Sequence, residues 1–595
     1  MNFGKQLDGV GLMQYFFKWI ESRADTIKDD LIAGITVSLV AIPQSLAYAQ
    51  LAGMPAYYGL YAALIPTIVG ALFGSSQQLS TGPVAMTSLL TAASVAPLAA
   101  HGSDLYVTYV ILLALLSGVF QIAFGALRMG VLLNFLSHPV LMGFINAAAI
   151  IIGLSQLPTL LGIPAQQSNH FMLDIWHVVS NIDKVHEISV AFGVSAIGLL
   201  AMFKRYAPKL PGVLITVALL TWVSYGIGYA SLGGQVVGLV PQGLPQIGLP
   251  TFEWKVAVGF VPAAFVIALI SFMEAMSSSK VIAIRTRQPW NENKELIGQG
   301  LAKVAAALCN TMPVSGSFSR SALNLASNAR TSMSSVISAV FVLLTLLFFT
   351  SLLFHLPKPV LAAIIMMAVA GLVNFRTVKN AWNASRDDGI AAAITFVATL
   401  AFAPNIQNGI VTCIMLSLAM LLYRMMRPRI AILGMHDDAT LRDAVRYGLS
   451  PLHSRLGAIR FDGALRFVNV SYFEDALLKL ERENPRVTHI LVKCSGMNDL
   501  DASGVDMLEN LIERFKGNGV TLAFSGSKRQ VLDVMDRTGL AEKIGKVNIF
   551  QTDREALAAL MGRLEPDSSH GSEGKTAAVI AGVSPVALGK ILTAA

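Results

Sequence analysis

Residues 31–103 read LIAGITVSLVAIPQSLAYAQLAGMPAYYGLYAALIPTIVGALFGSSQQLSTGPVAMTSLLTAASVAPLAAHGS, with no Lys, Arg, Asp or Glu anywhere in the run. One helix needs about 20 apolar residues to cross the hydrocarbon of a bilayer, so this stretch alone holds three spans. The rest of the chain agrees. Of its 595 residues, 54% are hydrophobic and 13% charged, and the mean hydropathy is +0.60. Soluble domains carry about 25% charge, so the composition marks an α-helical polytopic membrane protein. The net charge of +8 does not point to nucleic acid, because the basic residues gather at one set of helix ends. Cys309, Cys413 and Cys494 are scattered without metal-ligand spacing and read as structural filler. No metal or other cofactor is expected.

About fourteen apolar segments lie between Asp30 and Tyr423, near 31–50, 58–74, 83–98, 106–127, 138–161, 188–203, 211–230, 257–276, 296–311, 316–327, 333–354, 359–375, 389–403 and 408–423. Residues 1–30 form a charged N-terminal segment that leads into the first span with no signal peptide. With that segment inside, the even-numbered segments end in the cytoplasm. There lie Arg128, the group Lys204, Arg205 and Lys209, the group Lys280, Arg285, Arg287 and Lys294, then Arg330, Arg376, Lys379, Arg386, Arg424, Arg427 and Arg429. The opposite loops hold only Lys184, Lys255 and Lys358. This positive-inside bias predicts that both termini are cytoplasmic.

Residues 132–141, LLNFLSHPVL, and 352–361, LLFHLPKPVL, are identical at six of ten positions. Seven segments separate the copies, so the two halves have opposite topology. Inverted repeats of this kind occur in secondary transporters, whose substrate sites lie near the midplane at the repeat interface. Chance similarity of two apolar decamers is the competing explanation. The repeat also makes segments 3 and 10 counterparts, and both are short and broken by Gly, Pro and Ser.

After Arg429 the composition becomes charged and the element types alternate. Ala458–Phe461, Thr488–Cys494 and Val520–Phe524 read as strands, and Tyr472–Glu483, Val505–Lys516 and Arg529–Thr538 as helices. The reading is a transmembrane domain at 31–430, a linker at 431–454, a soluble α/β domain at 455–565 and a disordered tail at 566–595.

The broken segments are where a substrate site belongs. Segment 3 opens with Thr81-Gly82-Pro83-Val84-Ala85, and segment 10 with Pro313-Val314-Ser315-Gly316-Ser317-Phe318-Ser319-Arg320. Two half-helices starting at the midplane would present unpaired N–H groups and positive dipole ends to each other, an anion site needing no side chain. Ordinary Pro-kinked helices are the alternative. Arg320 at mid-membrane must face a cavity or partner unless it snorkels to water. Glu274 is the only carboxylate between Lys255 and Lys280. It is a candidate for proton coupling or gating, or else a direct partner of Arg320. Gln44 and Tyr48, four residues apart, share one helix face and could line an oxyanion site or make interhelical contacts.

These residues resemble the sulfate permease (SulP) family, which includes sulfate transporters, animal solute carrier 26 anion exchangers and prestin. The matching stretches are Asp30–Thr36, Pro43–Ala49, Gly59–Tyr61, Thr81–Ala85, Asn293–Leu296 through Gly300-Leu301, and Ser317–Ser321. The resemblance covers about residues 25–565. It implies fourteen spans as a 7+7 inverted repeat, with a core (segments 1–4 and 8–11) that slides against a gate (5–7 and 12–14). It places the anion site at Gln44, Tyr48, Val84, Ser319 and Arg320, with Val84 and Ser319 acting through backbone N–H, and it aligns Glu274 with an acidic position linked to proton coupling. The soluble part resembles a STAS domain. There Asp499-Leu500-Asp501-Ala502-Ser503-Gly504 stands where related anti-sigma-factor antagonists carry Asp-Ser-Ser-Gly, and Ala502 takes the place of their phosphoserine. Ser503 reads as a helix N-cap beside Asp501.

The expected function is secondary active transport of a small inorganic oxyanion, with sulfate by proton symport leading. Bicarbonate, chloride or dicarboxylate transport by exchange or sodium symport, nucleobase permeation and a passive anion channel are the alternatives. No enzyme activity is expected. Expected partners are the anion, a coupling ion, the lipid bilayer (the bacterial inner membrane), a second copy in a homodimer and a cytoplasmic protein at the STAS-like domain.

Overall fold

The computed structural model describes residues 24–130, 138–163, 171–207, 210–250, 252–403, 406–438 and 440–564. Among the described residues, six helices are long and apolar enough to cross a membrane, by length and composition. The chain forms two compact units, Met1–Leu418 and Ala419–Ala595.

The first unit opens with α1 (Ala24–Leu51), α2 (Tyr57–Ala62), α3 (Ile65–Phe73), strand β1 (Ser80–Gly82), α4 (Ala85–Val95) and α5 (Asp104–Ala126). Next come α6 (His138–Ser155), α7 (Leu157–Leu161), α8 (Phe171–Ser180), α9 (Glu187–Tyr206), α10 (Gly212–Ile227), α11 (Trp254–Thr286) and α12 (Glu292–Leu308). Strand β2 (Ser315–Ser317) leads into α13 (Phe318–Ala326), followed by α14 (Met333–Phe348), α15 (Thr350–Leu353), α16 (Lys358–Ala370), α17 (Phe375–Ala384), α18 (Arg386–Phe402) and α19 (Ile406–Met426). Every apolar segment read from the sequence coincides with one of these helices or with two consecutive ones. Helices α8 and α17 were not anticipated. Each is amphipathic rather than continuously apolar, with Trp176 on α8 and Phe375 and Trp382 on α17 exposed.

Packing sorts the helices into two groups. In one, α5 lies along α12, α1 along α14, and α3 against α12. In the other, α6 lies along α18 and α9 along α16. These pairs fall within the core and gate sets that the resemblance implies, and α1 also packs against α16 and α10. Between helices already in lipid, close backbone approach through small residues takes the place of hydrophobic drive. Gly118 of α5 and Gly300 of α12 show this: a Cβ on either would sit 2.9 Å from the other's carbonyl oxygen.

The repeat appears as matched elements. The β1–α4 and β2–α13 units are the same strand-to-half-helix device. The second apolar decamer runs into α16 at Lys358-Pro359, and the end of the first enters α6 at His138-Pro139. Residues 132–137 of the first copy lie outside the described residues, as do the start of the N-terminal segment and the tail from 566.

In the second unit a six-stranded sheet has the order β4-β3-β5-β6-β7-β8. The strands are β3 (Arg429–Met435), β4 (Leu441–Asp443), β5 (Leu456–Asp462), β6 (His489–Lys493), β7 (Thr521–Ser525) and β8 (Ile549–Phe550). The last four are parallel, and β3 is antiparallel to β4 and β5. The helices are α20 (Ala444–Tyr447), α21 (Val470–Glu483), α22 (Ala502–Gly517), α23 (Arg529–Thr538), α24 (Leu540–Ile544) and α25 (Asp553–Arg563). Parallel strands are buried on both faces and alternate between them. Ile459, Phe461, Ile490, Val492, Leu522 and Phe524 face a core closed by α21 to α24, and Ala458, Leu491 and Ala523 face a second core under α25.

The stretch 431–454, set aside above as a linker, instead belongs to the sheet. Ile430 and Ile432 of β3 pair with Phe461 and Ile459 of β5, and Leu433 and Leu441 are buried. The sequence hid this because β3 follows directly on α19, with only Pro428 to mark the change.

Candidate functional site

Strands β1 and β2 pair antiparallel, with Ser80 opposite Ser317, Thr81 opposite Gly316 and Gly82 opposite Ser315. All six residues are buried. Helix α4 leaves one end of this ladder and α13 the other, so their N-termini both point back to it. The ladder's rise puts those ends on the order of 7 Å apart. The N–H groups of the first helical turns have no partner within their own helices.

The register is held from outside. Thr67 Oγ1 donates to the Thr81 carbonyl at 2.8 Å. Gln299 Nε2 donates to Thr81 Oγ1 at 2.8 Å and to Glu295 Oε1 at 3.0 Å. Glu295 is fully buried, and its Oε2 accepts from the Ser75 and Ser76 N–H groups, each at 2.8 Å. Ser321 Oγ accepts from Ser80 N–H at 2.8 Å. The Asn293–Leu296 match to the family thus reads physically as the brace of the first broken span.

Arg320 sits in the first turn of α13, where its N–H donates to the N-cap Ser317 Oγ at 3.4 Å. The side chain is 2% exposed, so it does not snorkel. Nη1 donates across to the Pro83 carbonyl at 2.9 Å, and Nη2 is buried without a hydrogen-bond partner among the described residues. Gly82 makes room for it: a Cβ there would be 3.0 Å from Nη2. Val84 is buried and is the N-cap of α4. Ser319 is exposed and lies beside Ser317, Oγ to Oγ at 3.4 Å.

Gln44 is 7% exposed and Tyr48 5%. Gln44 Oε1 is buried without a partner, and Tyr48 lies within electrostatic reach of Arg320 and Glu274. Glu274 stands near Arg320, Lys303 and the Ser315 hydroxyl. No ion pair joins it to Arg320 among the described residues, and its Oε2 is buried and unpartnered. A direct Glu274–Arg320 bridge is therefore not what holds the carboxylate. The structure brings Tyr48, Val84, Ser319, Arg320 and Glu274 near the ladder, and Gln44 lies one helical turn from Tyr48 on α1. Of these unpartnered buried atoms only Arg320 Nη2 is a donor, so it is the one that an anion would satisfy; Gln44 Oε1 and Glu274 Oε2 are acceptor oxygens and call for a donor instead.

One charged residue escaped the sequence reading. Lys303 of α12 is fully buried, and its Nζ donates to Gln121 Oε1 and to Ser271 Oγ. A lone cation within segment 9 is the same signal that singled out Arg320. A cavity of about 280 Å³ runs from Gln44 between Phe203 and Lys204 of α9, Gly212 and Val213 at the start of α10, and Met367 of α16. Gln44 is the one predicted site residue in its lining, which Lys204 shares.

In the second unit, Asp501 and not Ser503 is the N-cap of α22. Asp501 Oδ1 accepts from Gly504 N–H at 2.9 Å and its Oδ2 from Phe467 N–H at 2.9 Å. Ser503 is already inside the first turn. The sequence reading missed this because the helix starts at Ala502, three residues before the expected Val505, which moves the capping position back to the aspartate.

Two half-helices converging on a buried guanidinium, on a helical membrane scaffold followed by an α/β domain, fit a transporter of small anions. The family model for the sulfate permease family matches residues 27–395 and that for the STAS domain matches 450–556; the chain belongs to the sulfate permease family. It is 32% identical to the chloroplastic sulfate transporter 4.1 of Arabidopsis thaliana, over 93% of this chain and 83% of that protein. It is 30% identical to a probable sulfate transporter of Mycobacterium tuberculosis, over 93% of this chain and 98% of that one. The structure of SLC26A9 matches its fold with a TM-score of 0.83 at 19% identity, covering 94% of each chain. The protein is an integral membrane protein of a family of transporters rather than enzymes.

Proposed function

We propose that the protein is a secondary active transporter of sulfate, driven by proton symport, with the anion held between α4 and α13. The observation that carries this reading is Arg320, which is buried, bonded once to Pro83 and left with a free Nη2 beside two helix N-termini. A cation in that position has repulsive company until an anion arrives. Gln44, Tyr48 and the N–H groups at Val84 and Ser319 complete the donor set, and sulfate presents four acceptor oxygens to it. The relatives named as sulfate transporters support that choice of cargo.

Glu274 carries the proton. With its carboxyl neutral, Arg320 and Lys303 leave two positive charges in the core, which match a dianion. Transport proceeds as the core slides against the gate, with the cavity lined by Gln44 and Lys204 as the route to one side. Both termini lie in the cytoplasm, the membrane is a bacterial plasma membrane, and the chain works as a homodimer whose STAS domain binds a regulatory partner. Uptake of labelled sulfate into proteoliposomes, with pH and sodium gradients imposed in turn and unlabelled anions as competitors, tests cargo and coupling together. Sulfate accumulation that follows only a sodium gradient, or no accumulation against a gradient, defeats the reading.

A further inference from the structure

The last turn of α19 and the loop after β5 enclose a second positively charged cavity, distant in sequence from the anion site. Its volume is about 420 Å³, and Arg424, Arg427, Arg429, Arg466, Asp462 and Asn469 line it. Most of these charges are already balanced within the unit. Arg429 pairs with Asp443 at 2.7 Å, Arg466 with Asp499 at 2.8 Å, and Asp462 with Arg460 at 2.8 Å. Arg427 is different. Among the described residues it meets no carboxylate, and its guanidinium rests over the Tyr423 ring, 5.5 Å from the centroid.

The cavity wall is fixed. Pro428 ends the helix, and the freed Met425 carbonyl accepts from Asn469 Nδ2 at 3.0 Å. The same amide donates to the Ala464 carbonyl at 2.9 Å, so the helix end and the loop are tied together by one side chain. Just before the arginines, Leu421, Leu422, Tyr423, Met425 and Met426 are exposed, between 37% and 55%. An aromatic side chain followed by arginines at the end of an apolar helix marks the level of lipid headgroups.

We infer that this cavity binds the phosphate of an anionic phospholipid, held by Arg427 and its neighbouring guanidiniums. Guanidinium forks match phosphate oxygens in pairs, and basic pockets at the membrane surface take anionic headgroups. A water-soluble phosphate would use the arginines but leave the adjoining apolar surface bare. A phospholipid uses both, with its chains laid along Leu422 and Met426. All the lining residues lie in the second unit, and Arg429 opens β3, so occupancy would also steady the start of that strand.

The test is thermal unfolding of the purified full-length protein in a non-ionic detergent. It is titrated with dioctanoyl phosphatidylglycerol, dioctanoyl phosphatidylcholine and inorganic phosphate in turn. A ligand of the folded state raises Tm in a saturable way. Phosphatidylglycerol should do so and phosphatidylcholine should not. The Arg424→Gln/Arg427→Gln double variant should need at least about tenfold more lipid for the same shift, Arg427→Lys should retain part of it, and Arg320→Gln should respond as the parent does. Equal responses to both lipids, or a response that survives in the double variant, overturns the proposal. So does inorganic phosphate matching phosphatidylglycerol, which would assign the cavity to a soluble phosphoanion. A response lost in Arg320→Gln would place the lipid at the transport site and likewise overturn it.

Discussion

Arg320 and Pro83 lie 237 positions apart in the chain, yet Nη1 of the one donates to the carbonyl of the other at 2.9 Å. That bond ties the second half-helix to the first and aims the remaining nitrogen, Nη2, into the gap between them. Arg320→Lys keeps a positive charge but cannot hold Pro83 and an oxyanion with a planar fork. A hydrogen bond to a charged group contributes about 1.5–3 kcal/mol, or roughly a 10- to 100-fold change in affinity. We expect the KM for sulfate uptake to rise by that factor in Arg320→Lys and uptake to vanish in Arg320→Gln. A lysine variant with unchanged KM would remove Arg320 from the binding site.

Glu274 is held near two cations without touching Arg320, so its protonation can change without breaking a structural bridge. Glu274→Gln mimics the neutral carboxyl permanently. We expect sulfate uptake in this variant to lose its dependence on an imposed pH gradient, while exchange of labelled for unlabelled sulfate at equilibrium persists. Uptake that still follows the pH gradient would rule out Glu274 as the proton carrier.

Lys303 is fully buried with only neutral hydrogen-bond partners, and Glu274 is the acidic group in its reach. Removing one member of a buried pair of charges typically costs about 3–5 kcal/mol because the other is stranded. The figure is an upper guide here, since the two groups are not in contact. Lys303→Gln should lower Tm, and adding Glu274→Gln should recover part of the loss, a coupling that a double-mutant cycle measures. Strictly additive Tm changes would show that the two charges do not sense each other.

Much of this architecture was legible in the sequence. Fourteen apolar segments and the two broken spans could be read because hydrocarbon imposes a length and a purity of composition that few soluble helices share. Arg320 and Glu274 stood out because a charge inside such a segment has no cheap resting place. Lys303 gave the same signal and went unused, because its segment also carries polar residues and reads less clearly as a span. Helix α17 was illegible because its apolar residues are interleaved with polar ones, and α8, though mostly apolar, has only 10 residues, too few to read as a span. The pairing of Thr81 with Gly316 could not be read from propensity at all. Three-residue strands of Ser, Thr and Gly have no pattern, and their register is set by Thr67, Gln299 and Ser321, which lie on other helices.

The sheet unit offers a test of its electrostatics away from the membrane. Burial, with Arg563 and Arg455 nearby, holds the His489 imidazole below its usual pKa. The unfolded chain therefore binds a proton more readily than the folded one, and the stabilisation from neutral His489 is present above about pH 6.5 and lost as the pH falls below it. Asp438 works in a lower window. The Thr440 hydroxyl, with the Thr440 N–H, His436 and Arg442, lowers its carboxyl to about 2. Its contribution is present above the unfolded value near 3.9 and is lost as the pH falls toward 2. For a fragment of residues 428–564, we expect Tm to fall from pH 7 to pH 5 and His489→Gln to flatten that part of the curve. Asp438→Asn should leave it alone and change only the acid limb. A His489→Gln fragment with the parent's slope between pH 7 and 5 would assign that slope to other groups.

Gly316 is the residue on which the head-to-head arrangement can be broken with least chemical change. A Cβ at this position would meet the Ala275 Cβ and the Leu79 Cδ1 at 2.9 Å each, and the Ala275 Cα at 3.0 Å. The Leu79 methyl can turn aside, but the backbone of α11 at Ala275 cannot, and α11 also carries Glu274. Overpacking a close contact typically costs about 1–3 kcal/mol. Here the strain falls on a three-residue ladder and should be relieved by parting β2 from β1. That would widen the gap between Pro83 and Arg320, and the hydrogen bond across it would be lost before the helices move. We therefore expect Gly316→Val to insert and fold with a modestly lower Tm but to lose sulfate binding by about as much as Arg320→Lys. Gly316→Ala should fall between the parent and Gly316→Val. Competition binding of sulfate to the three proteins, with Tm measured on the same samples, checks it. A Gly316→Val protein that binds sulfate like the parent would mean that the ladder does not position the anion.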